Sequence, residues 1–411
     1  MAPDITRDSL MRAARRDGPA GRSRPAYTEP LLVRAITMGL DADDNRLDPV
    51  MPRFVLSTSD AADLIAYLIQ LGTAPEPGVD NGSLVLGTVL RPGGSAIQKV
   101  LAASFDEINR RGGLFGRQLV LRVTEPYDGE AFGTAVARLA DTGSVFALLA
   151  PMIAGEEVAA VAAVDAAGMP TIGPLTPRVR AAPSSHYVFY LNGGLEAEAS
   201  ALAGFAASTF GSPDIVDDGT PLWQSVARVA ATTLADARQP PKLIQPGSAE
   251  LAQALADGRA VLWFADGAMI RAAVTDLSGK RPTLLLPSAL AGDLLANGAP
   301  VPTFVAFATG PLDMTPEATT EFHALTQRDD LPARDRSAQR QALAAAKILF
   351  EALQRAGRDV TRERLVDALE TLQSHRTGLM PPVTFSPSRH VGTDGAWIVP
   401  LDGGAPTWWN R

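Results

Sequence analysis

From residue 84 onward, short apolar runs bounded by Gly or Pro alternate with Ala-rich stretches of helical spacing, and this rhythm confines the chain to the α/β class. Strands are expected at 84–90, 118–124, 145–151, 169–174, 187–191, 242–246, 260–265, 282–287 and 303–309. Helices are expected at 95–111, 129–141, 155–167, 195–210, 219–237, 248–257, 267–278, 315–327, 336–357 and 361–373. The strand segments are apolar throughout instead of alternating, as in parallel sheets covered by helices on both faces. Nine such strands exceed one comfortable sheet. The expected fold is two doubly wound three-layer lobes joined by a hinge, with crossings near 189, 311 and 378. Ligands in such sheets bind beyond the carboxyl ends of the strands.

The rhythm before residue 75 is different. Residues 29–40 and 60–71 have helical apolar spacing, and TAPEPGVDNGS (73–83) has the Pro, Gly and Asn content of a linker. The expected division is a small helical segment over 1–72 and a linker over 73–83. One lobe is then built from 84–188 plus 311–376, and a second from 189–310 plus 377–411.

The chain carries a net charge of −8 and contains no cysteine. Negative charge repels the phosphate backbone and argues against nucleic-acid binding. Without cysteine there is no disulfide and no thiol chemistry. The four histidines, His186, His323, His375 and His390, have no metal-ligand spacing. No stretch reaches the roughly 18 uninterrupted apolar residues of a membrane span, so direct membrane insertion is not expected. The first twenty residues lack the apolar run of a signal peptide.

Four segments, in order, resemble the type I periplasmic binding proteins, and the Leu/Ile/Val-binding branch of ABC-transporter receptors in particular. They are SFDEINRRGGLFGRQLVLRV (104–123), AAGMPTIGPLTP (166–177), QALAAAKILFEALQRAGRDVTRERLVDALETL (341–372) and TGLMPPVTFSPSRHVG (377–392), the last like that family's closing hairpin. In the first, Gly112 and Gly113 supply a left-handed helix end and Gly116 a tight turn. The resemblance implies a periplasmic solute-binding protein with a small-molecule ligand and an ABC-type membrane permease as partner.

The N-terminal segment, APDIT (2–6) followed by residues 26–72, resembles the later part of a class I cytochrome c. That likeness would make Met51 the axial haem ligand and place Leu64, Tyr67 and Leu68 against the haem. The Cys-x-x-Cys-His attachment motif of that family is absent, so no cofactor and no Soret absorbance are expected of this chain. Either a longer gene product carrying that motif and a signal peptide, or degeneration of the domain, is the expectation attached to this likeness. An electron-transfer or sensor role beside a periplasmic dehydrogenase is the alternative function.

The expected cleft comprises Arg91 and Ser95 after the first strand, Ala154, Gly155, Glu156 and Glu157 after the third, and Leu175 and Thr176 after the fourth. Tyr190 and Asn192 lie at the hinge, and Trp223, Asp266 and Ser288 are in the second lobe. Amino-acid receptors of this family hold the ligand carboxylate with hydroxyl-rich loops. Here PMIAGEE (151–157) has none and GPLTP (173–177) keeps only Thr176, so α-amino acids are not the expected ligand. Glu156 and Glu157 read either as cleft groups or as acids favouring the N-terminus of the next helix. Trp263, inside an apolar strand, reads as core. An enzyme is not expected, because G-x-S-x-G, a post-strand G-x-G-x-x-G and a P-loop lysine are all missing.

Overall fold

The computed structural model describes residues 5, 7–15, 23–70, 76–179, 184–235, 240–274, 281–310, 313–333 and 336–410. The chain divides into two compact units, Met1–Glu76 and Pro77–Arg411.

The first unit contains α1 (Arg7–Leu10), a two-residue ladder of β1 (Ala14–Arg15) with β2 (Ser23–Arg24), α2 (Glu29–Met38) and α3 (Thr58–Gln70). Pro30 stands in the first turn of α2, where its missing N–H costs nothing, and Gly39 closes that helix at φ 69°. Its small core is Leu10, Tyr27, Leu32, Ala35 and Ile65. The face of α3 therefore differs from the one expected. Ile65 points inward, Leu64 and Leu68 are half-buried, and Tyr67 is exposed. Met51 is also exposed. Of APDIT only Ile5 is described, and linker residues 73–75 fall outside the described set.

The second unit starts earlier than expected. The Gly78 amide donates to the Gly143 carbonyl (3.1 Å), and the Gly78 carbonyl accepts the Val85 amide (2.7 Å). The Asp80 carboxylate accepts the amides of Gly82 and Ser83. Residues 78–83 are thus laced to the first lobe and do not form a free linker.

The first lobe holds β3 (Ser83–Val89), α4 (Ser95–Arg110), β4 (Gln118–Thr124), α5 (Phe132–Asp141), β5 (Ala147–Leu149), α6 (Glu157–Ala166), β6 (Thr171–Ile172) and β7 (Val188–Phe189). Its sheet runs β4-β3-β5-β6-β7, parallel throughout. The second lobe follows with α7 (Gly194–Phe210), β8 (Asp214–Asp217), α8 (Pro221–Thr233), β9 (Leu243–Ile244), α9 (Ala249–Ala256), β10 (Ala260–Phe264), α10 (Ala268–Val274), β11 (Thr283–Pro287), α11 (Gly292–Asn297) and β12 (Thr303–Phe307). Then α12 (Pro316–Arg328), α13 (Arg336–Ala356) and α14 (Arg362–Glu370) return to the first lobe, and β13 (Ala396–Pro400) and β14 (Thr407–Trp409) close the second. The second sheet runs β14-β13-β12-β11-β10-β8-β9, antiparallel only at β12/β13 and β13/β14. The ends of predicted helices 219–237 and 267–278 extend past the described residues.

Each sheet is covered on both faces. On the first, α4, α13 and α14 bury one face around Leu86, Leu101, Leu349 and Leu365, while α5 and α6 bury the other around Phe132, Val136 and Val161. On the second, α7 and α8 cover Leu262 and Phe264, and α9 and α10 cover Val261 and Trp263. All five residues of β10 are buried, which is why its sequence shows no polar alternation. Helix starts carry local caps. The side chains of Ser248, Thr315 and Thr361 accept the amides of Leu251, Ala318 and Arg364 at 3.2–3.3 Å.

The lobes are joined where β7 leads into 190–193, after β12 where the described chain runs to 310, and at 391–395. The expected second crossing point, 311, lies outside the described residues. The third is displaced from 378, because Leu379, Met380, Val383 and Phe385 are buried with α13 and α14 in the first lobe's core. Accordingly 375–392 forms only isolated antiparallel bridges within itself, His375–Val383 and Ser386–Arg389, and the regular closing hairpin is β13 with β14. The first and third crossings are bonded to each other. The Tyr190 amide donates to the His390 carbonyl (2.8 Å), Gly392 to Tyr190 (2.9 Å) and Thr393 to Leu191 (3.2 Å). The His390 ring lies between the Ser185 carbonyl (2.8 Å) and the Glu370 carboxylate (3.0 Å), tying this ribbon to α14.

Candidate ligand-binding site

The crossings leave from the carboxyl ends of β7 and β12, so the loops at those sheet edges border the space between the lobes. In the first lobe three of these loops form one polar cluster. Arg91, after β3, pairs with Glu156. The second Glu156 oxygen accepts the Phe132 amide at 2.8 Å, so this acid caps α5 and not the helix that follows it. Glu157 is the acid in the first turn of α6. It is buried, and it accepts the Thr176 hydroxyl (2.7 Å) and the Gly155 amide (3.1 Å). Thr176 Oγ1 in turn accepts the Arg178 amide at 3.0 Å. Leu175 is bridged to Met152, which locks the two loops in register. Ala154 and Gly155 stand exposed at the tip, and Ser95 is exposed at the start of α4.

At the hinge, Asn192 Oδ1 accepts the Gly194 amide (3.0 Å), and its amide nitrogen lies 3.4 Å from Gln341 Oε1. Gly194 has φ 58°, and a Cβ there would stand 2.4 Å from the Pro177 carbonyl. Only glycine allows α7 to start this close to the β6 loop. Tyr190 does not open into the cleft as expected. Its ring is buried with Val89, Phe132 and Val188, because the residue continues the inward face of β7. Burial and the nearby Glu157 carboxylate raise the Tyr190 phenol well above its usual range.

In the second lobe, Ser288 follows β11 and donates to Glu198 through its amide (2.8 Å) and its hydroxyl (2.9 Å). Glu198 also accepts the Ala308 amide at 2.9 Å. Burial pushes this carboxyl up to about 7, and the Ala308 and Ser288 donors pull against that shift. Asp266 is exposed after β10, its amide donating to Asp218 (3.2 Å) and its carboxylate accepting the Ala268 amide (2.9 Å). Trp223 is half-buried on α8 and packs on the lobe's own core, so it is not a free lid. Trp263 is fully buried, in agreement with its position in an apolar strand. Among the described residues, no hydrogen bond joins Asp266 or Ser288 to the first-lobe cluster.

The link across the cleft is one that sequence reasoning missed. Arg178 Nη2, from the loop after β6, lies 3.4 Å from Ser225 Oγ on α8. Arg178 Nε is buried without a partner. Also missed were Glu198 and Arg340. Arg340 is buried in α13 with Nη2 3.3 Å from Thr309 Oγ1, and burial lowers its pKa. The signal available was a charged residue inside an Ala-rich helix, LEAEASALA for Glu198 and QRQALAAA for Arg340. Such a charge is retained in a core only when its neighbours hold it. Two cavities flank the hinge, of about 590 and 640 Å³, and Tyr190 is the only expected cleft residue that lines either. No described helix is long and apolar enough to cross a membrane, and no described His, Asp and Glu cluster could hold a metal ion.

Among solved structures, a fatty acid ABC transporter substrate-binding protein from Thermomonospora curvata aligns at TM-score 0.59 and 18% identity, over 82% of this chain and 93% of that one. A putative branched-chain amino acid ABC transporter protein from Rhodospirillum rubrum aligns at 0.61 and 20%, over 77% and 97%. The branched-chain amino acid transporter substrate-binding protein of Streptococcus pneumoniae, in complex with isoleucine, aligns at 0.56 and 15%, over 77% and 95%. At these identities the likeness shows the fold alone. No curated protein matches. The periplasmic binding protein family matches residues 87–405, the two-lobed unit almost end to end, without reaching residues 1–76. With that span covered, the chain belongs to the periplasmic binding protein family.

Proposed function

We infer that the two-lobed unit captures a small organic molecule between its lobes, in the periplasm, and presents it to an ABC-type permease or a sensor without transforming it. The observation that carries this reading is the Arg178–Ser225 approach, which brings the carboxyl-terminal edges of two parallel sheets together around a hinge. The ligand class follows from which groups are already engaged. The Thr176 hydroxyl is spent on Glu157, and both Glu156 oxygens are spent on Arg91 and the Phe132 amide. No hydroxyl clamp is left for a ligand carboxylate on these loops. Buried Glu157 favours a neutral or hydrogen-bond-donating ligand over an α-amino acid.

Native mass spectrometry of the full chain tests this reading, first as purified and then against a panel of neutral, amine-bearing and aliphatic carboxylate metabolites. A one-to-one adduct that raises the unfolding temperature supports it. A preference for carboxylate ligands throughout that panel overturns it.

A further inference from the structure

We propose that the cavity beside the third crossing is a second ligand site, separate from the interlobe cleft, and that it takes an aromatic carboxylate. It measures about 590 Å³, within the size of small-molecule sites. One wall is apolar and aromatic. Trp397 and Trp408 meet edge to face with centroids 5.4 Å apart, and Met380 continues the surface. That corner offers an indole face to a flat ring. The Trp397 indole is held in place, since its Nε1–H donates to Asp313 Oδ1 at 2.5 Å.

The polar groups select for an anion. Arg376 and Arg389 line the cavity, are exposed, and have no carboxylate partner among the described residues. Arg389 uses only Nε, on the Val391 carbonyl at 2.9 Å. A guanidinium with its fork unused is a ready carboxylate receptor. The two acids of the cavity do not neutralise them. Asp313 is committed to Trp397 and to the Gly310 amide at 3.0 Å, and Asp394 has an interaction of its own. The Thr393 hydroxyl, on the same wall, is buried without a hydrogen-bond partner. Such a group is retained at a cost unless something bonds to it. Gly395 keeps the corner open, since a Cβ there would stand 2.5 Å from the Trp408 ring.

Calorimetric titration of the full chain with 2-naphthoate, and with its neutral amide, tests the site. The expected result is saturable one-to-one binding of the acid with quenching of tryptophan fluorescence. The amide should bind at least about tenfold more weakly, as should the acid to an R376A/R389A variant. Both arginines are exposed and the only side-chain bond lost among the described residues is Arg389 to the Val391 carbonyl, so this variant should melt close to the native protein, and W408F, which keeps an aromatic ring there, should remove most of the quenching. Absence of saturable binding at millimolar acid overturns the proposal. So does equal binding of the amide, or an affinity unchanged in R376A/R389A.

Discussion

Arg178 Nη2 and Ser225 Oγ stand 3.4 Å apart, and between them they span from the first lobe to the second. A bond of this length between a charged and a neutral group contributes about 1 kcal/mol, a shift of roughly fivefold in a closed-to-open ratio. R178A should therefore raise the radius of gyration of the ligand-free protein in small-angle scattering. An unchanged value would remove this contact from the closure mechanism.

Leucine, isoleucine and valine should bind weakly. The loop at 154–155 offers no hydroxyl, and that of Thr176 is donated to Glu157. Two missing charge-assisted bonds, at about 1.5–3 kcal/mol each, remove roughly two to four powers of ten in affinity. Calorimetry at millimolar amino acid reads this directly, and micromolar binding of any of the three would contradict it.

Glu198 predicts a pH dependence of stability. Its folded pKa, raised by burial to about 7, lies above the ordinary 4.5. The folded state thus holds the proton more tightly, and the stabilisation is complete below about 4.5 and lost as pH rises through about 7. The difference corresponds to at most about 3 kcal/mol. Urea unfolding at several pH values should show the native protein losing stability over this window relative to E198Q, which carries no titrating group there. Parallel curves for the two proteins would refute the assignment.

The Arg259 guanidinium holds Asp214 through Nε (2.5 Å) and Nη2 (2.9 Å), with the Asp214 side chain buried and that of Arg259 partly exposed. R259A leaves a buried carboxylate unpaired and should destabilise by about 2–4 kcal/mol, less than a fully buried pair because water reaches the arginine. D214N on that background should recover part of the loss in denaturant titrations. A loss that persists undiminished in the double variant would place the cost elsewhere.

The same Asp214 explains part of what the sequence concealed. Strand β8 reads DIVD, and its two aspartates keep a fully buried inner strand out of the set expected from apolar runs. Longer apolar strands such as β10, by contrast, stand out from composition alone. β13 and β14 fall outside the expected strands, because Trp408 and Trp409 at the chain end read either as a packing plug or as an exposed contact patch. The cleft was legible only as a set of loops. Strand order told which loops lie at the carboxyl edges. Which side chains are free depends on hydrogen bonds between residues far apart in sequence, such as Arg91 with Glu156 or Ser288 with Glu198. Tyr190 shows the limit, since a shift of one residue along a strand exchanges inside for outside.

The bonds joining 190–191 to 390–393 turn two of the three interlobe connections into a single parallel ribbon. Two independent tethers would let the lobes slide, splay and twist. A laced ribbon resists shear along its length and yields by torsion. Motion between the lobes is thereby reduced towards rotation about one axis, set by the ribbon, which makes opening a repeatable trajectory that always presents the same two edges to an incoming molecule.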